Sequence, residues 1–293
     1  MKVGVIGGSG LYELDGLGEL QEEVVETPFG SPSDAYMAGK LGEVEVFFLP
    51  RHGRGHHIMP SEINHKANIC GFKMLGVERV IAVTAVGSLK AEVSPLDVLL
   101  PDQYFDRTKS SHEHTFFGNG VVGHVAFGDP VCSEIHDLTA AAIEKVLSSK
   151  DGDDKPSFFK GGTYVNMEGP MFSTRSESNF YRSLEFDVIG MTSLGEAKLC
   201  REAEICYQTL AMITDYDCWH ESEEMVTAEI VGGRLMANTA LAKEILGELI
   251  PSLEKQRACE CVNALKGAIL TAKEIIPEQT LKTVNPIMGK YLG

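Results

Sequence analysis

No apolar stretch of this 293-residue chain approaches the ~20 residues that a membrane-spanning helix needs; the runs at 80–86 and 210–213 end at Gly87 and Thr214. No membrane partner is expected. Positive charge is scarce as well: 26 Lys and Arg face 42 Asp and Glu, for a formal charge of −16. The far field therefore repels polyanions, and no nucleic-acid partner is expected. Repeats and low-complexity tracts are missing, and 43% apolar residues exclude disorder as the main theme. The seven cysteines form no C-x2-C pair, which favours free or buried thiols in a reducing compartment over a zinc module. Cys259-Glu-Cys261 and the pair Cys200 and Cys206 are the two places where spacing allows a bridge. The opening MKVGVIGGSG has one lysine and reaches glycine without a long apolar region, so cytoplasmic residence is the expectation.

What is present is an alternation of β-branched runs with helix-like stretches. Strands are expected at 2–6, 44–49, 79–84, 97–100, 163–166, 187–191 and 206–214. Helices are expected at 60–75, 133–148, 174–184, 196–203, 227–249 and 253–275. KDGDDKP, at 150–156, is the most linker-like piece, yet it is short enough for a surface loop. The expectation is one α/β domain over 1–293, with a mixed, largely parallel central sheet flanked by helices. Ligands of such folds gather beyond the carboxyl ends of the strands.

The loops there carry unusual chemistry. Gly7-Gly8-Ser9-Gly10 does not complete G-x-G-x-x-G, which disfavours a dinucleotide site, but it offers free N–H groups and the Ser9 hydroxyl to an anion. Arg51 and His52 open RHGRGHH, a basic cluster in an acidic chain. A guanidinium fork fits phosphate oxygens, whereas the arginines would repel a metal cation. Small residues at Thr84 and Ala85 let a ligand approach the backbone closely. Phe172 and Ser173 mix an aromatic face with polar groups, and Thr192 precedes a helix start. Asp215 and Asp217 close the most apolar strand, where a like-charged neighbour can hold one carboxyl protonated as a general acid. A turn, a helix cap and solvated acids are the plain structural alternatives for these loops.

Taken together, IGGSG (6–10), TPFGSPSD (27–34), RHGRGHHIMPSEINHKAN (51–68), TAVGSL (84–89), EGPMFSTRSES (168–178) and TDYDCW (214–219) resemble the trimeric purine nucleoside phosphorylases. Within them, the resemblance is to the S-methyl-5'-thioadenosine phosphorylases. It implies the nucleoside phosphorylase fold and reversible phosphorolysis of an N-glycosidic bond, with inorganic phosphate as co-substrate and no metal or organic cofactor. By resemblance, Ser9, Arg51, His52, Thr84, Ala85 and Thr192 bind phosphate. Met191 lies against the ribose, Phe172 and Ser173 at the base, and His124 at the 5' end of a neighbouring subunit's substrate. A homotrimer or dimer of trimers is implied.

Relatives acting on 6-oxopurines carry Glu after the Phe and Asn at the position of Asp215. Ser173 and Asp215 therefore favour a 6-aminopurine, with Asp215 and Asp217 as the acid pair. Phosphorolysis of a 6-oxopurine nucleoside or methylthioinosine, and a noncatalytic nucleoside-binding role, are the alternatives. The family also tends to have Pro where this chain has Gly195 in MTSLGE, so local rigidity is expected to differ.

Overall fold

The computed structural model describes residues 1–152, 155–220, 228–253 and 256–292. The chain runs β1 (Lys2–Gly7), β2 (Gln21–Glu23), β3 (Tyr36–Leu41), β4 (Val44–Pro50), α1 (His65–Met74), β5 (Arg79–Ser88), β6 (Val98–Leu100) and β7 (Gln103–Arg107). It continues α2 (Ser133–Ser148), β8 (Phe158–Lys160), β9 (Thr163–Met167), α3 (Arg175–Ser183), β10 (Val188–Gly190), α4 (Ser193–Glu202), β11 (Cys206–Tyr216), α5 (Ala228–Ser252) and α6 (Glu278–Leu292).

All eleven strands belong to one sheet, with the path β2-β3-β4-β1-β5-β10-β9-β7 and a branch in which β11 pairs with β5 and β6, and β6 with β8. Six of the ten ladders are parallel, which is the mixed, largely parallel sheet expected. Successive side chains of β5 alternate between two cores. Ile81 and Val83 pack with α2 and α5, whereas Val80 and Ala82 pack with α1, α4 and α6. Burial on both faces is what makes these strands read as continuous apolar runs.

Three expectations need correction. Of the expected helix at 253–275, 254 and 255 lie outside the described residues, and 256–275 is not a helix: it holds two short 3-10 turns, Glu260–Asn263 and Lys273–Ile275, and Gly267 at φ +74°. The helix lies beyond, in α6, where Pro277 supplies a start signal and Pro286 inside obscured the pattern. The stretch from Pro60 begins with a 3-10 turn, and α1 starts only after Asn64, whose side chain caps the Ala67 N–H at 3.0 Å. Cys200 and Cys206 cannot bridge, because they pack in the cores on opposite faces of the sheet. The expected position 227 lies outside the described residues. Among those residues no helix is long and apolar enough to cross a membrane.

Candidate active site

β1, β4 and β5 lie side by side in parallel, so Gly7, Pro50 and the second half of β5 reach the same edge. The Arg51 N–H donates to Gly7 O at 2.9 Å, which locks the first glycine loop against the basic loop. Ser9 opens a 3-10 turn directly after β1.

Arg51 is 3% exposed. Its Nε donates to Glu196 Oε1 at 2.5 Å, Nη2 to Glu196 Oε2 at 3.2 Å, and Nη1 to Val83 O at 3.1 Å. Of five guanidinium N–H groups, two are left over for a ligand. Burial would lower the guanidinium pKa, but the Glu196 carboxylate outweighs it and keeps Arg51 charged. Tyr207 Oη donates to the same carboxylate at 2.9 Å. Glu196 was legible only as a helix start; nothing at a separation of 145 residues marks it as the partner of Arg51.

His52 Nδ1 faces the Ile58 carbonyl at 2.8 Å. A carbonyl only accepts, so Nδ1 carries the proton, and the neutral ring presents Nε2 as an acceptor. Burial, reinforced by the Arg51 charge, pushes this imidazole down to about 4. His56 stacks on it with centroids 4.4 Å apart. Arg54 turns outward to Asp34 at 2.9 Å and Glu22 at 2.5 Å, so it stabilises the loop from the surface.

β10 runs back antiparallel from Ser88, which brings Met191 and Thr192 alongside β5. Thr192 is the N-cap of α4, yet its hydroxyl makes no cap hydrogen bond, and it is 4% exposed. The Tyr164 hydroxyl sits among Thr84, Thr192 and Ser193. Only a glycine at 190 lets it in, since a Cβ there would stand 1.9 Å from that oxygen. Asn166 fixes the turn: its Oδ1 accepts from Leu194 N at 2.9 Å and its Nδ2 donates to Met191 O at 3.2 Å. Met191 packs on Gly169, whose φ of +74° and 2.6 Å approach to Sδ suit no side chain.

Asp215 owes its direction to an irregularity. The register of β11 on β5 slips between Ile213 and Asp215, leaving Thr214 as the extra residue. Such a bulge re-aims the side chains around it. Thr214 Oγ1 donates to Val86 O at 3.2 Å and to Asp215 Oδ2 at 2.7 Å. Asp215 and Asp217 flank Gly87, where a Cβ would lie 3.0 Å from Asp215 Oδ1 and 3.5 Å from Asp217 Cβ. Asp217 is buried, and its Oδ2 has no protein partner. Trp219 Nε1 anchors the turn on Ser88 O at 2.8 Å, and Cys218 Sγ donates to Ser173 O at 3.2 Å. Phe172 is 65% exposed.

A cavity of about 540 Å³ adjoins Met191, lined in part by Phe29, Ile63, His65, His114 and Glu168. His65 and His114 meet edge to face at 5.4 Å, and the Nδ1 atoms of both are buried without a partner. Burial, aided by His114, holds His65 well below the usual imidazole range. Neither histidine was singled out by the sequence.

The structure therefore gathers Arg51, His52, Thr84, Ala85, Met191, Thr192, Asp215 and Asp217 at one edge. His124 is not part of that group. It is exposed, donates its N–H to Ala268 O at 3.0 Å, and follows a bridge between Gly123 and Ile269.

Residues 2–251 match the model of the phosphorylase superfamily. The S-methyl-5'-thioadenosine phosphorylase of Geobacter sulfurreducens is 50% identical over 291 residues, 99% of either chain. That of Koribacter versatilis is 52% identical over 292 residues, 100% of this chain and 97% of the relative. Among solved structures, a methylthioadenosine phosphorylase from an Antarctic soil metagenomic library matches with a TM-score of 0.90 at 41% identity, over 97% of this chain and 98% of that one. The Schistosoma mansoni methylthioadenosine phosphorylase in complex with adenine matches at 0.83 and 33% identity, over 91% and 96%. Similarity of this depth along the whole chain places it plainly: it belongs to the phosphorylase superfamily, among the S-methyl-5'-thioadenosine phosphorylases.

Proposed function

We propose that the chain catalyses the reversible phosphorolysis of S-methyl-5'-thioadenosine to adenine and 5-methylthioribose 1-phosphate. One observation carries the reading: a buried guanidinium with two N–H groups to spare stands at the same strand edge as a bulge-aimed carboxyl pair. Phosphate would accept from those N–H groups, from the hydroxyls of Ser9, Thr84 and Thr192, and from backbone N–H groups at Ala85 and the start of α4. His52 Nε2 would accept a hydrogen bond from the P–OH of monohydrogen phosphate, which keeps its proton.

As the C1'–N9 bond breaks, its electron pair leaves with adenine and the sugar gains oxocarbenium character. Phosphate below stabilises that charge and then forms the C1'–O bond. Asp215, protonated, would deliver its proton to N7, with Asp217 sharing the load and accepting from the exocyclic amine. Met191 would pack on the ribose and Phe172 on the base, with Ser173 beside it. This chemistry needs no cofactor beyond phosphate itself.

We place His124 at the 5' end of a neighbour's substrate, in a homotrimer or dimer of trimers. Support comes from its exposed ladder, where Val122 and Leu270 are 53% and 65% exposed and paired through Leu270 N. Cytoplasmic residence goes with the reading.

The test is to supply methylthioadenosine, methylthioinosine, adenosine and inosine, each with and without isotopically labelled phosphate, and to follow free base and labelled sugar. The expected result is adenine released from methylthioadenosine fastest, only with phosphate, and label esterified to the pentose. Base release without phosphate would mean a hydrolase, and faster release from methylthioinosine would reverse the base preference.

A further inference from the structure

Cys206 opens β11 at the end of the sheet opposite the carboxyl edge, nine residues before Asp215. At about 3.3 Å per residue the two are roughly 30 Å apart along the strand. Around Cys206 three distant stretches of chain converge. Cys132 is the N-cap residue of α2, and Cys259 and Cys261 stand two apart beside a 3-10 turn in the irregular stretch between α5 and α6. The four sulfurs all lie within 4.8 Å of one another, and Cys206 Sγ is 3.2 Å from Cys259 Sγ. Among the described residues this is the group of side chains that could hold a metal ion.

Thiols at Zn–S distances of about 2.3 Å around a tetrahedral ion lie about 3.8 Å from one another. The cluster spans that separation. Neutral S–H groups are weak donors and gain little by meeting four at a time. The surroundings also suit an anionic centre: Arg257 Nη1, held by Glu204 O at 2.7 Å, stands 3.9 Å from Cys206 Sγ. Four thiolates around one divalent ion leave a net charge of about −2, which that guanidinium offsets in part.

We propose that Cys132, Cys206, Cys259 and Cys261 form a structural zinc site. Four thiols release four protons, four Zn–S bonds form, and nothing is oxidised or reduced. With all positions filled by protein sulfur, the ion has no place for substrate and stabilises the fold only. What it would hold is the stretch between α5 and α6, which has little regular structure of its own, against β11 and α2. The sequence reading of these cysteines as free thiols rather than a zinc module is what the proposal revises, because the four meet only in the fold; the reaction, about 30 Å away along β11, is expected to need no metal.

The chain should be produced without a polyhistidine tag and analysed for metal by elemental mass spectrometry. About one zinc per chain is expected. Cobalt supplied instead should give the intense visible bands of tetrahedral thiolate cobalt. Cys132→Ser and Cys261→Ser should each lose most of the zinc, whereas Cys70→Ala keeps it. Should the serine variants fail to fold, the original chain decides: chelation should lower its Tm, and added zinc should restore it. The proposal is overturned if the fully reduced protein, given excess zinc, retains less than about a tenth of an equivalent. Mapping of Cys–Cys bridges among these four residues in freshly isolated protein overturns it as well. Neither result touches the phosphorolysis reading, which labelled phosphate tests separately.

Discussion

Arg51 and Arg79 are both almost wholly buried, 3% and 1% exposed, and each pairs with a glutamate, but they stand at opposite edges of one sheet. Arg79 starts β5. It reaches Glu134 on α2 and donates to Leu253 O at 2.5 Å, and Glu134 in turn accepts from Ala258 N at 2.7 Å. That pair ties strand, helix and the chain beyond α5 together. Arg51 follows β4, is clamped by a glutamate that solvent does not reach, and has two N–H groups outside its three hydrogen bonds to Glu196 and Val83. The same ion-pair chemistry is spent on cohesion at the amino edge and on holding a cation ready at the carboxyl edge. Burial alone therefore does not mark a functional arginine; what matters is which edge of the sheet it stands at and which groups gather around it.

The sharpest way to break this contrast is at the carboxyl pair. Asp215→Asn keeps the shape and the hydrogen bond from Thr214 but has no proton to give N7, so kcat/KM should fall by about 10²–10⁴. Asp215 is only half-buried, so Tm should scarcely move. Steady-state assay and a thermal melt check both, and full adenine release by the variant would remove Asp215 from the mechanism.

Next comes the clamp. Glu196→Gln leaves a buried cation without its counter-charge, a change that costs about 3–5 kcal/mol in such pairs, and it should also raise KM for phosphate. Arg79→Met should cost stability in the same range and leave that KM unchanged. Urea unfolding beside phosphate kinetics separates the two readouts. A comparable KM rise in Arg79→Met would erase the distinction between the edges.

The carboxyl edge was largely legible because each segment announced itself locally: glycines after β1, arginine and histidine after β4, paired aspartates at the end of β11. What escaped has a common cause. Glu196, Asn166 and Tyr164 act through contacts across the fold, and no local pattern tells a clamp from a core residue. β3, with Gly39, and β7, reading QYFDR, lack the alternation that betrays a strand, being completed by their neighbours in the sheet. The amino edge was almost silent for the same reason, since the cysteines that meet there lie 53 to 129 residues apart except for the last two.

A buried acid at the end of α4 offers a comparison in pH. Glu202 accepts from Thr115 Oγ1 at 2.7 Å and Phe116 N at 2.6 Å, yet burial pushes its carboxyl up to about 7. Between the unfolded value of 4.5 and about 7 the folded state binds the extra proton, so its contribution to stability is lost as pH rises through that window. His52 works the other way. Its folded value of about 4 lies below the unfolded 6.5, so stability is lost as pH falls between them. The two partly cancel. Glu202→Gln removes the first, and unfolding at pH 5 and pH 8 should show the variant gaining on the original chain at the higher pH by up to about 3 kcal/mol. An unchanged difference between the two pH values would show that Glu202 ionises normally.

The smallest effect tests how closely the carboxyl edge is packed from behind. Gly195 lies in the first turn of α4, and a Cβ there would come 2.9 Å from His114 Cδ2 and 3.2 Å from His65 Cδ2. Alanine favours a helix over glycine by about 1 kcal/mol, whereas overpacking a filled site costs about 1–3 kcal/mol. Crowding should win narrowly, because the two imidazoles are buried against each other and have little room to yield. Gly195→Ala should therefore lower stability by about 1 kcal/mol. It should also raise KM for phosphate slightly, since the substituted residue stands next to Glu196 on α4. A stabilised variant would mean that His114 swings aside freely and that the back of the cradle is looser than the strands in front of it.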